Sequence, residues 1–220
     1  MNKHHTLNML TVTLGSLLMA SSLMAAEGMY YSVSVGQSTL GHEIKRNTGT
    51  KESASISTRA EDTDFAVNFA AGYQLSLGER AFVALEGFYS IENAKTLSLN
   101  NKLVTEVSLN AAYGAKLKPG VMVTDGFSVF ASLGVTVLDF DVDNAYTFAP
   151  PMRTASERES VFSFGFGAEY KLNDHVSVIG EVTRTQDVTF DPIPEVAVPG
   201  KINRNDLDLS TTTIGIAYRF

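Results

Sequence analysis

The sequence predicts an all-β chain: an eight-stranded antiparallel up-and-down transmembrane β-barrel. Three observations carry that expectation. Long stretches alternate large apolar with small or polar residues at period two, the signature of strands with one greasy face. The last of these ends the chain, with Ile214, Ile216, Tyr218 and Phe220 on one side. Connections between the stretches alternate long and short, as in barrels with long external loops and tight turns at the opposite rim. All six prolines (119, 150, 151, 192, 194, 199) read as lying in connections, which suits a residue that cannot donate to a ladder.

Each strand follows from its own alternation. The first runs over 29–38, with Met29, Tyr31, Val33 and Val35 opposed to Tyr30, Ser32, Ser34 and Gly36. The second covers 64–77, and Gly78-Glu79-Arg80 turns it into a third that ends at Ile91. The fourth, 103–117, sets Val107, Leu109, Ala111, Tyr113 and Ala115 against Glu106, Ser108, Asn110, Ala112, Gly114 and Lys116. A connection over 118–126 holds Pro119-Gly120 and Asp125-Gly126. The fifth strand begins at Phe127, the sixth holds Phe162 to Leu172, the seventh starts at Val176, and the C-terminal strand is the eighth. Long connections then fall at 39–62, 92–102, 139–160 and 186–206, and short ones at 78–80, 118–126 and 173–175. Tyr31, Tyr73, Tyr113, Tyr170 and Tyr218 form the expected interfacial girdle at the short-turn end.

The termini set the compartment. Lys3, His4 and His5, then an apolar stretch from Leu7 to Leu18, then Ala25 and Ala26, read as a cleaved signal peptide over 1–26. The barrel is expected over 27–220. A strand closing on a terminal Phe resembles the ending of outer-membrane barrels, which implies Tyr218 and Phe220 as the assembly signal and the barrel-assembly machinery as its reader. The net charge of −7 argues against a nucleic-acid partner. The absence of cysteine removes thiolate metal sites, disulfides and cysteine nucleophiles.

Alternation alone does not say which face is inside, and a soluble lipocalin-like barrel would point its apolar face inward. Here the apolar face is Phe, Val, Leu and Tyr with almost no charge, whereas the other face is Gly, Ala, Ser and Asn. Grease toward lipid and small polar residues in the lumen account for both. The lumen charges would then be Glu86, Glu106, Lys116, Glu169, Lys171, Glu181 and Arg219. Eight strands leave an interior that side chains fill, so opposite charges there should pair and plug the bore.

Gly28-Met29-Tyr30-Tyr31-Ser32-Val33, Ala115-Lys116-Leu117-Lys118-Pro119-Gly120 with Phe130-Ala131-Ser132-Leu133-Gly134, and the ending Ile214 to Phe220 resemble small outer-membrane β-barrels of the OmpA, OmpX and opacity type. The resemblance spans the mature chain. It implies adhesion, serum resistance or envelope stabilisation, and no catalytic motif.

An acyl-transfer enzyme would need a histidine beside the hydroxyl it activates. Beyond the signal only His42 and His175 remain; His42 lies near Ser38 and Glu43, and His175 falls in a short turn. No two histidines share a face, so neither a metal nor a cofactor is expected. The long connections carry mixed charge: Glu43, Lys51, Glu52, Arg59, Glu61 and Asp62 in the first, Arg153, Glu157, Arg158 and Glu159 in the third. The fourth adds Phe190, Ile193, Val196 and Val198. The expected function is a non-enzymatic outer-membrane surface protein serving adhesion, host contact or envelope integrity. Its expected partners are outer-membrane lipid, lipopolysaccharide and host surface molecules. A narrow porin-like channel for small or apolar solutes is the alternative.

Overall fold

The computed structural model describes residues 28–46, 56–100, 103–146, 149–190 and 203–220. The expected signal peptide, Lys51, Glu52 and the apolar residues and prolines of 191–202 lie outside the described residues. Among the described residues ten strand segments form one antiparallel sheet: β1 (Met29–Arg46), β2 (Ile56–Leu77), β3 (Ala81–Ile91), β4 (Lys95–Asn100), β5 (Leu103–Thr124), β6 (Phe127–Tyr146), β7 (Ala149–Lys171), β8 (Val176–Thr185), β9 (Val188–Phe190) and β10 (Asn203–Arg219). β1 pairs with β10 from Tyr30↔Arg219 to Arg46↔Asn203, which closes the cylinder. β4 continues the stave of β3 and β9 that of β8, so the barrel has eight staves, as the alternation predicts.

The turns at one rim are tight. Gly78 turns β2 into β3 with φ 86°, a backbone state that costs glycine nothing. Asn173 Oδ1 accepts the N–H groups of His175 and Val176 and so caps the β7–β8 turn. The turn expected over 118–126 shrinks to Asp125-Gly126, because β5 runs on through Pro119 to Thr124. Pro119 lies opposite Val83 inside the sheet, and the β5–β6 ladder resumes at Gly120↔Phe130 without a change of register. Pro150 and Pro151 likewise fall within β7, beside the irregularity between Asn144 and Tyr146. The expectation that prolines mark connections therefore fails at 119, 150 and 151: a missing N–H interrupts a ladder locally and the neighbouring bonds hold the strand.

Outward-facing Val35, Phe69, Leu85, Leu117, Val135, Phe164 and Ile216 are exposed apolar side chains around the wall. They form the lipid belt, and its outer limit runs through Val35, Phe65, Ile91, Val135 and Phe162. Tyr31, Tyr73, Tyr170 and Tyr218 sit near the tight-turn rim, but Tyr113 does not. It stacks on Tyr89 with ring centroids 6.2 Å apart, far up β5 from Thr124, and belongs to the opposite interface. The misplacement follows from ending that strand too early.

A 22-residue strand tilted as barrels require rises about 55 Å, twice the about 25 Å apolar band. Much of what reads as long loops is therefore strand: 39–46, 56–62, 95–100, 139–146 and 149–160 all continue the ladder. Above the belt the cylinder splits. β2 from Ile56 to Ala66 pairs only with β1, and β4 pairs only with β5. β7 from Ala149 to Val161 pairs only with β6, and β9 pairs only with β10. The external collar is thus two facing sheets, β9-β10-β1-β2 and β4-β5-β6-β7.

Candidate functional site: a layered lumen and an external collar

The lumen is stacked in four layers. Nearest the tight turns, Phe82, Phe130, Ile179 and Ala217 pack as a buried apolar cluster with Met122 against it. Above it lies an ion network. Lys118 Nζ bridges Glu86 at 2.6 Å and Glu181 at 2.9 Å; Lys116 Nζ reaches the other Glu181 oxygen at 3.0 Å. The Tyr30 hydroxyl donates to Glu86 at 2.8 Å. Gly72 makes room for that tyrosine: a Cβ there would stand 2.6 Å from its ring. Lys116 lies over the Phe88 ring at 4.5 Å and Lys118 over Phe130 at 5.1 Å, so ammonium charge left over from the carboxylates meets π faces. Arg219 closes the lower rim on Glu169 at 3.0 Å and on Gln74 at 3.1 Å.

A hydroxyl layer follows, built from Ser90, Thr136, Ser163, Thr185 and Thr211. Thr136 Oγ1 donates to Ser163 at 2.9 Å. Glu92, just past the end of β3, turns into this layer at 2% exposure. Its Oε1 accepts from Ser90 at 2.7 Å and its Oε2 has no partner. The voids here and in the ion network are about 30 Å³ and about 10 Å³, room for single waters. The uppermost layer is apolar: Leu40, Leu207, Leu209 and Val188 from one collar sheet meet Val107, Leu109, Leu138, Phe140, Val142 and Val161 from the other.

One backbone feature makes that top layer. Between Leu109↔Phe140 and Ala111↔Asp139 the β5–β6 register shifts by one residue, leaving Asn110 as a bulge. Below it the even positions Ala112, Lys116 and Lys118 are buried in the lumen; above it the odd positions Val107 and Leu109 are. Glu106 is accordingly carried to the outside, 4.0 Å from an exposed Lys95, and is corrected out of the lumen set. Lys171 is likewise corrected: it keeps the parity of Glu169 but ends β7 at the solvent-exposed rim opposite Ser177. Glu86, Lys116 and Glu181 are brought together with Lys118 as one ion network, and Arg219 and Glu169 form a separate pair at the lower rim.

Two members escaped the sequence. Lys118 was hidden by the Pro119-Gly120 turn signal, although the parity of Lys116 continues through Lys118, Gly120 and Met122. Tyr30 stood on the lumen face but carries no charge. Much of the apolar lumen cap, Leu40, Phe140, Val142 and Val188 among it, lies in stretches that read as connections.

Outside, the collar is polar. Arg158 Nε donates to Asp139 at 2.9 Å, which raises the already high guanidinium pKa further. Asp141 accepts from Ser156 Oγ at 2.6 Å and from Asn110 Nδ2 at 2.9 Å, and these bonds hold its carboxyl below the usual range. Of the residues weighed as catalytic, Ser38 points inward, fully buried, 3.4 Å from Thr211 Oγ1. His42 lies in β1 opposite Leu207, its side chain outside the described part. His175 sits at the tight-turn rim, its Nδ1 3.0 Å from the Arg219 carbonyl oxygen. Among the described residues no three of His, Asp and Glu converge on a metal position. At the C-terminus the Phe220 ring packs edge-on between Tyr31 and Tyr218, with centroids 5.5 Å and 5.1 Å away.

A family model described as outer membrane protein beta-barrel domain matches residues 10–220. None of the curated proteins matches the sequence. Among solved structures, the outer membrane protein OprG from Pseudomonas aeruginosa is similar at 17% identity and TM-score 0.51, over 88% of this chain and 96% of that one. The outer membrane protease OmpT from Escherichia coli is similar at 8% identity and TM-score 0.51, over 89% of this chain and 98% of that one. Ail, the attachment invasion locus protein of Yersinia pestis, is similar at 14% identity and TM-score 0.44, over 89% of this chain and 100% of that one. At these identities the likeness is one of fold.

Proposed function

The chain belongs to the outer membrane protein β-barrel domain family and resides in the cell outer membrane, and from that premise we propose a non-enzymatic surface protein whose external collar makes contacts outside the cell. The observation that carries this reading is the filled lumen. An apolar cluster, an ion network and an apolar cap follow one another along the bore, and among the described residues the voids in the ion and hydroxyl layers are about 10 Å³ and about 30 Å³. A bore packed in this way supports a lumen that positions the wall rather than one that conducts. What is left to meet the surroundings is a rigid two-sheet collar that rises well above the lipid belt.

The same reading assigns the remaining parts. The belt contacts outer-membrane lipid and the collar base lipopolysaccharide. Tyr218 and Phe220 address the barrel-assembly machinery, and residues 1–26 direct export. The partners of the collar are host surface molecules, or neighbours within the envelope.

The decisive experiment is paired. The purified full chain in planar bilayers should show no stable conductance steps, while cells displaying it should gain attachment to host matrix that is lost when the collar strands are shortened. Stable open steps would overturn the filled-lumen reading in favour of a narrow channel. A lipid A mass shift on overexpression that His42→Ala abolishes would overturn the non-enzymatic one.

A further inference from the structure

Among the described residues, the split collar leaves a backbone edge without a partner strand. The Phe162 carbonyl oxygen accepts the N–H of Gln186 at 2.9 Å, the last bond between the β7 and β8 staves. The Lys171 N–H at the other end of β7 goes instead to Gly126, on the β6 side. In an antiparallel ladder both backbone groups of a residue point the same way, alternating along the strand. Even-numbered residues of β7 therefore face β8, and odd ones face β6. Beyond Phe162 the even residues Ser160, Arg158, Ser156 and Thr154 aim their N–H and C=O groups at no strand among the described residues.

Such an edge is a template for one more strand, and its side chains decide which strand it accepts. Glu157 is exposed, Glu159 is half-buried, and the exposed Asp187 lies just past the end of β8. None of the three has an ion partner among the described residues. The neighbouring cation Arg158 is already committed to Asp139. The other open edge, on β2, is less free: Asp62 and Asp64 each accept the N–H of the following residue, at 2.9 Å and 2.7 Å.

We propose that the external edge of β7, from Thr154 to Ser160, binds an extended cationic peptide by strand addition. Its backbone bonds the even residues, and Lys or Arg side chains at alternate positions meet Glu157 and Glu159. A second copy in the same membrane does not fit. A two-fold axis along the membrane normal keeps both β7 strands pointing the same way and cannot set them antiparallel. The carboxylates that discourage a generic strand select a basic one.

The inference rests on the surface-contact reading and specifies its chemistry. The test uses the full chain in lipid nanodiscs and a synthetic peptide alternating Lys with Thr. Binding is expected, with slowed amide exchange at Ser156, Arg158 and Ser160. N-methylation of the peptide along its pairing edge should weaken binding about tenfold, the loss of a few backbone bonds. Glu157→Gln with Glu159→Gln should weaken it severalfold. Ser160→Pro should weaken it too, since that residue's N–H faces the open edge and the β6 ladder does not use it. Equal binding of the methylated peptide, unchanged exchange at 154–160, or no binding would overturn the proposal. If the unsubstituted protein binds no peptide while cells displaying it still attach, the strand-addition idea falls and the surface-contact reading stands. If attachment is absent altogether, that reading falls first.

Discussion

The same staves are built inside-out at one level and right-side-in at the next. At belt height Phe164, Ile216 and Leu117 face out, and Glu86, Lys118 and Glu181 are enclosed. In the collar Arg158, Asp141 and Glu106 face out, and Phe140, Leu109 and Leu207 are enclosed. The pleat is unchanged, and only the solvent outside differs. Against lipid, the wall gains nothing by hiding grease and must satisfy every polar group internally. Against water, the hydrophobic effect returns, and the collar folds as a sandwich with a core of its own. β5 crosses from one regime to the other by its bulge at Asn110.

That crossing is the point at which the comparison breaks most completely. Above the bulge Leu109 lies opposite Phe140 in the apolar cap, while Ser108 faces out. Leu109→Lys puts an unpaired ion into that cap, whereas Ser108→Lys adds a charge where water already is. Leu109→Lys is expected to yield no heat-modifiable barrel on a gel, while Ser108→Lys retains one. Deleting Asn110 joins Leu109 to Ala111 in one regular ladder and keeps both facings, so that variant is expected to migrate normally. Normal migration of Leu109→Lys would show that the odd residues above the bulge do not face the cap.

Next in size is the ion network. Lys118→Ala strands Glu86 in a dry interior, and breaking a buried pair in this way costs about 3–5 kcal/mol. Lys118→Met combined with Glu86→Gln should recover most of that loss, because Tyr30 keeps an oxygen to donate to and Glu181 keeps Lys116. Urea unfolding in lipid vesicles reads both. The collar offers the contrast: Phe140→Ala opens a cavity worth about 3 kcal/mol. Because its contacts lie above the belt, amide exchange should rise in β5, β6 and β7 of the collar and stay slow at belt height. Uniform loosening would mean that the two regions are one cooperative unit.

The sequence made the staves legible because lipid enforces a period-two contrast that nothing else in the chain imitates. Closure, stave number and most of the ion network follow from it. The collar was hidden because its outward residues are charged and mixed with turn formers, so Asp139 to Asp143 and Arg153 to Glu159 read as loop. Periodicity there runs in the opposite sense, with Leu138, Phe140 and Val142 inward, and a scan for outward grease passes over it. Pro119-Gly120 reads as the end of β5 at Leu117, which leaves Lys118 out of the lumen and assigns Tyr113 to the wrong interface. The bulge leaves no residue signature beyond the conflict between Val107-Leu109 and Tyr113-Ala115, which fit one face only if the phase never changes.

The smallest effect distinguishes the regions by acid. The Asp141 carboxyl is held below its usual range by the Ser156 hydroxyl and the Asn110 amide. A group depressed in the folded state contributes stability above its unfolded value, about 3.9, and loses it as pH falls through the folded one. Asp141 lies half-buried on the collar's outer face, so the loss is confined to the β5–β6–β7 ladder around it. On acidification below about pH 4, amide exchange near Asn110, Asp141 and Ser156 should speed up, while the belt-level ladder does not respond. Asp141→Asn should remove the response by fixing that side chain in a neutral form. An acid response that persists in the variant would place the sensitive group elsewhere and take from Asp141 the role of tying the bulge to β7.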